Sequence, residues 1–112
     1  MKISQRKEGQ VLVLKLDGRM SIGEGDAEAG DAIRSAIAAG EKKILLDMKN
    51  VSVLDSSGVG ELVSSYTSAH RRGGVIKLYG LAPRVGEVLK STRLVGIFEI
   101  FDDEVRAIES FS

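Results

Sequence analysis

The chain has 112 residues, with 16 Lys and Arg against 16 Asp and Glu, one His and no Cys. That length fits one domain able to bury about two-thirds of the surface its unfolded form exposes, so no metal or disulfide staple is required. Composition excludes disulfides, thiol catalysis and Cys-ligated zinc, leaves His70 alone for any imidazole chemistry, and with zero formal charge and 4% aromatic residues argues against nucleic acid as a partner.

The expectation is one domain, 1–112, of small soluble cytoplasmic type with no membrane partner. No apolar run reaches the about 18 residues of a membrane span, and the N-terminal stretch lacks the apolar core of a secretion signal. Ile3 to Lys7 and Val11 to Asp17 read as two strands joined by a turn at Glu8-Gly9-Gln10, with Leu12, Leu14 and Leu16 on one face at period two. Gly18 to Asp26, with three glycines, reads as a loop. Ala29, Ala32, Ile33, Ala36 and Ile37 recur at helical spacing between Ala27 and Ala39, and Gly40 suits a helix stop. Lys43 to Asp47 is an apolar run of buried-strand type.

A second helix is expected over Ser57 to Arg72. Val59, Leu62, Val63, Tyr66 and Ala69 form its apolar stripe, with Glu61, Ser64, Ser68 and Arg72 facing away. Gly73-Gly74 ends it and Val75 to Tyr79 is the next strand. Pro83 suits the first turn of a helix with core residues Val85, Val88 and Leu89. Ile97 to Phe101 reads as a last short strand, and Asp102 as the cap of a terminal helix carrying Val105, Ile108 and Phe111. Alternating strands and helices specify an α/β fold with parallel pairs, and the opening hairpin makes the sheet mixed.

Most catalytic readings fail on residue identity. Gly23-Glu24-Gly25-Asp26-Ala27-Glu28 begins like a dinucleotide fingerprint, but Glu28 stands where the third glycine belongs, and Gly58-Val59-Gly60 fails likewise at Val63. No G-x-x-x-x-G-K cradle is present. Ser56 and Ser57 lie between Asp55 and Gly58, which is no G-x-S-x-G elbow, and His70 sits about three turns further along the same helix. Asp47 could act as a phospho-acceptor at a strand end, yet no acidic pair for magnesium is evident, since Asp17 and Asp26 are far apart; a solvated strand-end acid is the plainer reading. No cofactor and no metal are expected.

The strongest local pattern is Val53-Leu54-Asp55-Ser56-Ser57-Gly58-Val59-Gly60, an apolar approach that ends in cap-forming residues before a helix. The plainer reading is a cap, in which Asp55 or Ser56 accepts hydrogen bonds from unpaired helix N–H groups. The functional reading uses the same geometry differently. A phosphate on a serine at a helix start is tolerated by free donors and the helix dipole, yet adds about −1.5 to −2 charge beside Asp55. Small residues at Gly58 and Gly60 would let a partner approach closely. On that second reading the motif is a binding switch and not an active site.

The run Asp55-Ser56-Ser57-Gly58-Val59-Gly60, approached by Val51-Ser52-Val53-Leu54, resembles the phosphorylation motif of the STAS domain family in its bacterial anti-sigma factor antagonist form. Gly73-Gly74 before a strand, Leu81-Ala82-Pro83 opening a helix, and Leu94-Val95-Gly96-Ile97-Phe98 before the last strand extend the resemblance over nearly the whole chain. The resemblance implies the STAS fold, a mixed four- to five-stranded sheet with helices mainly on one face. It implies a non-enzymatic antagonist that binds an anti-sigma factor serine kinase of GHKL type when unphosphorylated, is released on phosphorylation of Ser56, and is reset by a PP2C-type phosphatase. Ser57 corresponds to a contact or secondary position.

The partner surface expected on these grounds comprises Asp55, Ser56, Ser57, Gly58, Gly60, Glu61 and Ser64. Two features depart from many members. The segment Gly18 to Asp26 is richer in glycine, and Glu61 is a charge where an apolar or small residue is common; both are expected near the partner surface. The alternative within the family is a constitutive scaffold or lipid-transporter subunit, for which Asp55-Ser56-Ser57 is only a cap and contact surface.

Overall fold

The computed structural model describes residues 1–92 and 96–112. Its elements run β1 (Lys2–Glu8), β2 (Val11–Met20), α1 (Asp26–Ala38), β3 (Lys43–Leu54), α2 (Ser56–Arg71), β4 (Val75–Tyr79), α3 (Pro83–Ser91), β5 (Ile100–Phe101) and α4 (Glu104–Glu109). The five strands lie in the order β1-β2-β3-β4-β5. The β1–β2 pair is an antiparallel hairpin closed at Glu8↔Val11, where Gly9 adopts φ 62°, and every later neighbour is parallel. The mixed α/β sheet expected from the sequence is therefore present, with five strands.

Alternation along the strands builds two cores. Leu12, Leu14 and Leu16 of β2, Ile44 and Leu46 of β3, and Ile76 and Leu78 of β4 face α1, α2 and α3, meeting Ile33, Ile37, Leu62, Val85 and Leu89. The intervening residues Val11, Val13, Leu45 and Tyr79 point to the other face, where α4 covers them with Ala107. Three helices lie on one face and one on the other. A β3 buried on both faces is why Ile44, Leu45 and Leu46 follow one another without a polar interruption. On the α4 side Lys77 is buried and its ammonium donates to the Ser110 carbonyl (3.0 Å) and hydroxyl (2.9 Å), while lying 4.7 Å from the centre of the Phe111 ring. The C-terminal segment is thereby tied to the sheet.

Several expected boundaries move. β2 does not stop at Asp17: Gly18, Arg19 and Met20 continue it, because Met20 pairs with Leu54 and is fully buried. β3 runs on past Asp47 to Leu54, with register shifts between Lys15 and Asp17 and between Gly18 and Arg19, so bulges carry both strands beyond their polar interruption. Asp47 is accordingly not a solvated strand-end acid. It is 2% exposed, accepts from the Lys49 N–H at 3.1 Å, and has the Lys49 ammonium 3.9 Å away.

The last strand shrinks to Ile100–Phe101. Asp103, not Asp102, caps α4, accepting from the Val105 N–H at 2.9 Å. Val105 points outward at 61% exposure, since in so short a helix Ala107 takes the buried position. Leu94 and Val95, part of the run that resembles the family, lie outside the described residues.

Candidate functional site

β3 ends at Leu54 and α2 begins at Ser56, with Asp55 between them as the N-cap. Asp55 Oδ1 accepts from the Gly58 N–H at 3.0 Å, three residues on, which is the bond an N-cap carboxylate makes. Its second oxygen reaches across to the β2–α1 connection, where the Ile22 N–H donates to Oδ2 at 2.9 Å. These donors, Ile22 first and Gly58 second, hold the Asp55 carboxyl below its ordinary value of 3.8.

The β2–α1 connection is a built turn. Ser21 and Glu24 exchange backbone hydrogen bonds at 3.0 and 2.9 Å, with Gly23 at φ 74° as the third residue of the turn. Gly25 follows at φ 84° and lies so close to Arg19 that a Cβ would collide with the Arg19 carbonyl. Asp26, the first residue of α1, accepts from the Ser57 hydroxyl at 2.6 Å. That bond, followed by one from the Ala27 N–H, lowers the Asp26 carboxyl from 3.8. The starts of α1 and α2 are thus stitched together by side chains: Asp26 to Ser57, and Asp55 to the turn preceding α1.

The two adjacent serines differ sharply. Ser57 is half-buried and its hydroxyl is committed to Asp26. Ser56 is exposed at the first position of α2, and among the described residues nothing hydrogen-bonds its hydroxyl. Gly60 and Ser64 are also exposed on α2, and a Cβ at Gly60 would meet open space.

Two residues expected on the partner surface are engaged within the fold. Gly58 is buried, and a Cβ there would be driven into the Met20 carbonyl and to 2.7 Å from Leu54 Cδ1, so its smallness admits the end of β2 rather than a partner. Glu61 does not face away: it crosses to α1 over Gly30, pairs with Arg34 at 3.0 Å, and retains 24% side-chain exposure. Arg34 also binds Asp31 at 2.8 Å, and the two carboxylates, Asp31 foremost, raise its pKa further above the ordinary guanidinium value.

Sequence reasoning missed two participants. Asp26 emerges only when α1 and α2 lie side by side. Ile22, 78% exposed beside Asp55, carried a weak signal as a bulky apolar residue among glycines and charges. His70 is exposed on α2 and stacks on Tyr66, remote from the serine pair in sequence and unengaged with it. Among the described residues no group of three or more His, Cys, Asp or Glu could hold a metal ion, and no helix is long and apolar enough to cross a membrane.

The STAS domain pattern matches residues 2–107, nearly the full chain and the whole of this site. The chain belongs to the STAS domain family. It is 26% identical over 113 positions to an anti-sigma F factor antagonist of Paenibacillus polymyxa, spanning 96% of this chain and 92% of that one. A putative anti-sigma factor antagonist of Thermotoga maritima shares the fold at a TM-score of 0.89 and 24% identity, over 96% of this STAS domain and 92% of that chain. The phosphorylated form of the Bacillus cell fate determinant SpoIIAA superposes with a TM-score of 0.75 at 21% identity, covering 99% of this chain and 100% of that one.

Proposed function

We propose that this STAS domain is an anti-sigma factor antagonist whose binding is switched by phosphorylation of Ser56. The difference between the two serines carries this reading, since only Ser56 offers an exposed hydroxyl free of an internal acceptor. The full-length similarity to a curated antagonist, and the similarity in fold to a protein known in a phosphorylated form, support it. In the transfer, the Ser56 Oγ attacks the γ-phosphorus of ATP bound to a serine kinase. The bond to the β-phosphate oxygen breaks, ADP leaves, and the hydroxyl proton passes to a base on the kinase.

The consequence follows from position. At the first residue of the 16-residue α2, the phosphate meets unpaired N–H groups and the positive end of the helix dipole, so the fold tolerates it. The same group places about two negative charges beside Asp55 and close to Asp26, and changes the field over the surface formed by Ser56, Gly60 and Ser64. A partner complementary to the unmodified surface is then repelled. The partner is an anti-sigma factor that is itself a serine kinase of GHKL type, and a PP2C-type phosphatase restores the binding form, both in the cytoplasm. The domain is a binding module that is acted upon and not an enzyme.

Incubation with such a kinase and ATP, followed by mass-spectrometric site mapping, tests the assignment. One phosphate on Ser56, absent from Ser56→Ala, is expected; label persisting in Ser56→Ala overturns it. A chain that such kinases neither modify nor bind would instead favour the constitutive subunit, with Asp55 serving only as a cap.

A further inference from the structure

We infer that Ile22 is the apolar anchor of the interface that Ser56 controls, inserted into a pocket of the serine kinase, and that Asp55 is the strut holding it in place. This rests on the partner-binding reading given above and adds the residue that supplies affinity to the one that supplies control.

A single exposed aliphatic side chain is ordinary on a protein surface and by itself signifies little. Ile22 differs in how it is held. It is 78% exposed, more than Val105 at 61% or Val75 at 46%. Its backbone is fixed from both sides: the Ser21–Glu24 bonds close the turn around it, and its own N–H donates to Asp55 Oδ2 at 2.9 Å. Gly23 and Gly25, both at positive φ, supply the backbone conformations the turn requires. The Arg19–Glu24 pair, 2.8 Å apart, stands beside the turn. A bulky apolar side chain is therefore presented to water on a rigid support with charged groups at its border. That is the construction of an interface anchor, which buries apolar area at small cost in ordering entropy.

The location connects the anchor to the switch. Asp55 bonds Ile22 through one oxygen and caps α2 through the other, and Ser56 is its immediate neighbour in the chain. A kinase that places its active site over the Ser56 hydroxyl necessarily lies over this turn. A phosphate on Ser56 adds charge next to the carboxylate that supports the anchor, so anchor and switch belong to one surface.

The test uses the full chain and a purified GHKL-type kinase that phosphorylates Ser56, with affinity measured by calorimetric titration. Ile22→Ser is expected to weaken binding about tenfold or more, and to lower the efficiency of Ser56 phosphorylation in parallel, given the apolar area an isoleucine buries. Ile22→Leu is expected to bind within about threefold of the unmodified chain, as is Val105→Ser, the control at another exposed aliphatic site. An unchanged amide spectrum shows that the variants fold. If Ile22→Ser binds within about twofold while Ser56 is still modified, the anchor is overturned and the switch stands. Equal losses in Ile22→Ser and Val105→Ser also overturn it. If no kinase of this class binds the unmodified chain, the switch fails first and the anchor with it.

Discussion

The Ser57 hydroxyl donates to the Asp26 carboxylate at 2.6 Å, joining the first turn of α2 to the first residue of α1. Through this bond two adjacent serines acquire different chemistry. Ser57 becomes part of the framework, whereas Ser56 stands exposed beside it. The Asp55 bond to Ile22 is the second stitch, so the site is held by two carboxylates that each serve as an acceptor for the neighbouring segment.

Those carboxylates set an acid dependence. Asp26 and Asp55 are both held below 3.8 in the folded chain, Asp26 by Ser57 foremost and Asp55 by the Ile22 N–H foremost. The unfolded chain therefore takes up protons first as pH falls. Their contribution to stability is complete above 3.8 and is lost as pH drops through the folded values. Denaturant midpoints should be flat from about pH 7 to about pH 5 and decline below about pH 4, with a shallower decline in Asp26→Asn. A midpoint that rises on acidification contradicts this.

Gly58 and Gly60 should respond oppositely to alanine. A Cβ at position 58 meets the Met20 carbonyl and lies 2.7 Å from Leu54 Cδ1, so Gly58→Ala should cost about 1–3 kcal/mol despite the better helix propensity of alanine. At position 60 nothing lies within 4 Å, and Gly60→Ala should gain up to about 1 kcal/mol. Urea denaturation of both variants compares the two directly; equal effects would refute the assignment of Gly58 to internal packing.

Ser65 is fully buried on α2, and among the described residues its hydroxyl has no hydrogen-bond partner. Removing an unpaired buried polar atom from a helix should be neutral or favourable. Ser65→Ala is expected to raise stability by as much as about 1 kcal/mol. A loss of comparable size in chemical denaturation would mean that the hydroxyl is bonded in solution.

The alternation of elements was legible because the apolar residues are regular. Leu12, Leu14 and Leu16 mark one sheet face, and Ile33, Ala36 and Ile37 mark a helix stripe. Boundaries failed where backbone pairing overrides local polarity. Lys49 and Asn50 interrupt β3, yet Val51 and Leu54 bring it back to the core after a register shift that no single segment reveals. Asp55 and Ser56 could be located from cap chemistry, which acts over three residues. Glu61 could not be placed, because its partner Arg34 is 27 positions away on α1 and only the packing of the two helices joins them. The same holds for Asp26 and Ile22, whose roles depend on contacts more than 30 positions distant.

The central claim is that charge at Ser56 controls partner binding, and affinity tests it most directly. Calorimetric titration of a GHKL-type anti-sigma kinase with the unmodified chain and with the Ser56-phosphorylated chain should show at least about tenfold weaker binding after modification, with the amide spectrum of the chain unchanged. Ser56→Asp, carrying one charge where the phosphate carries about two, should fall between them. Equal affinity of the phosphorylated and unmodified chains would contradict the account.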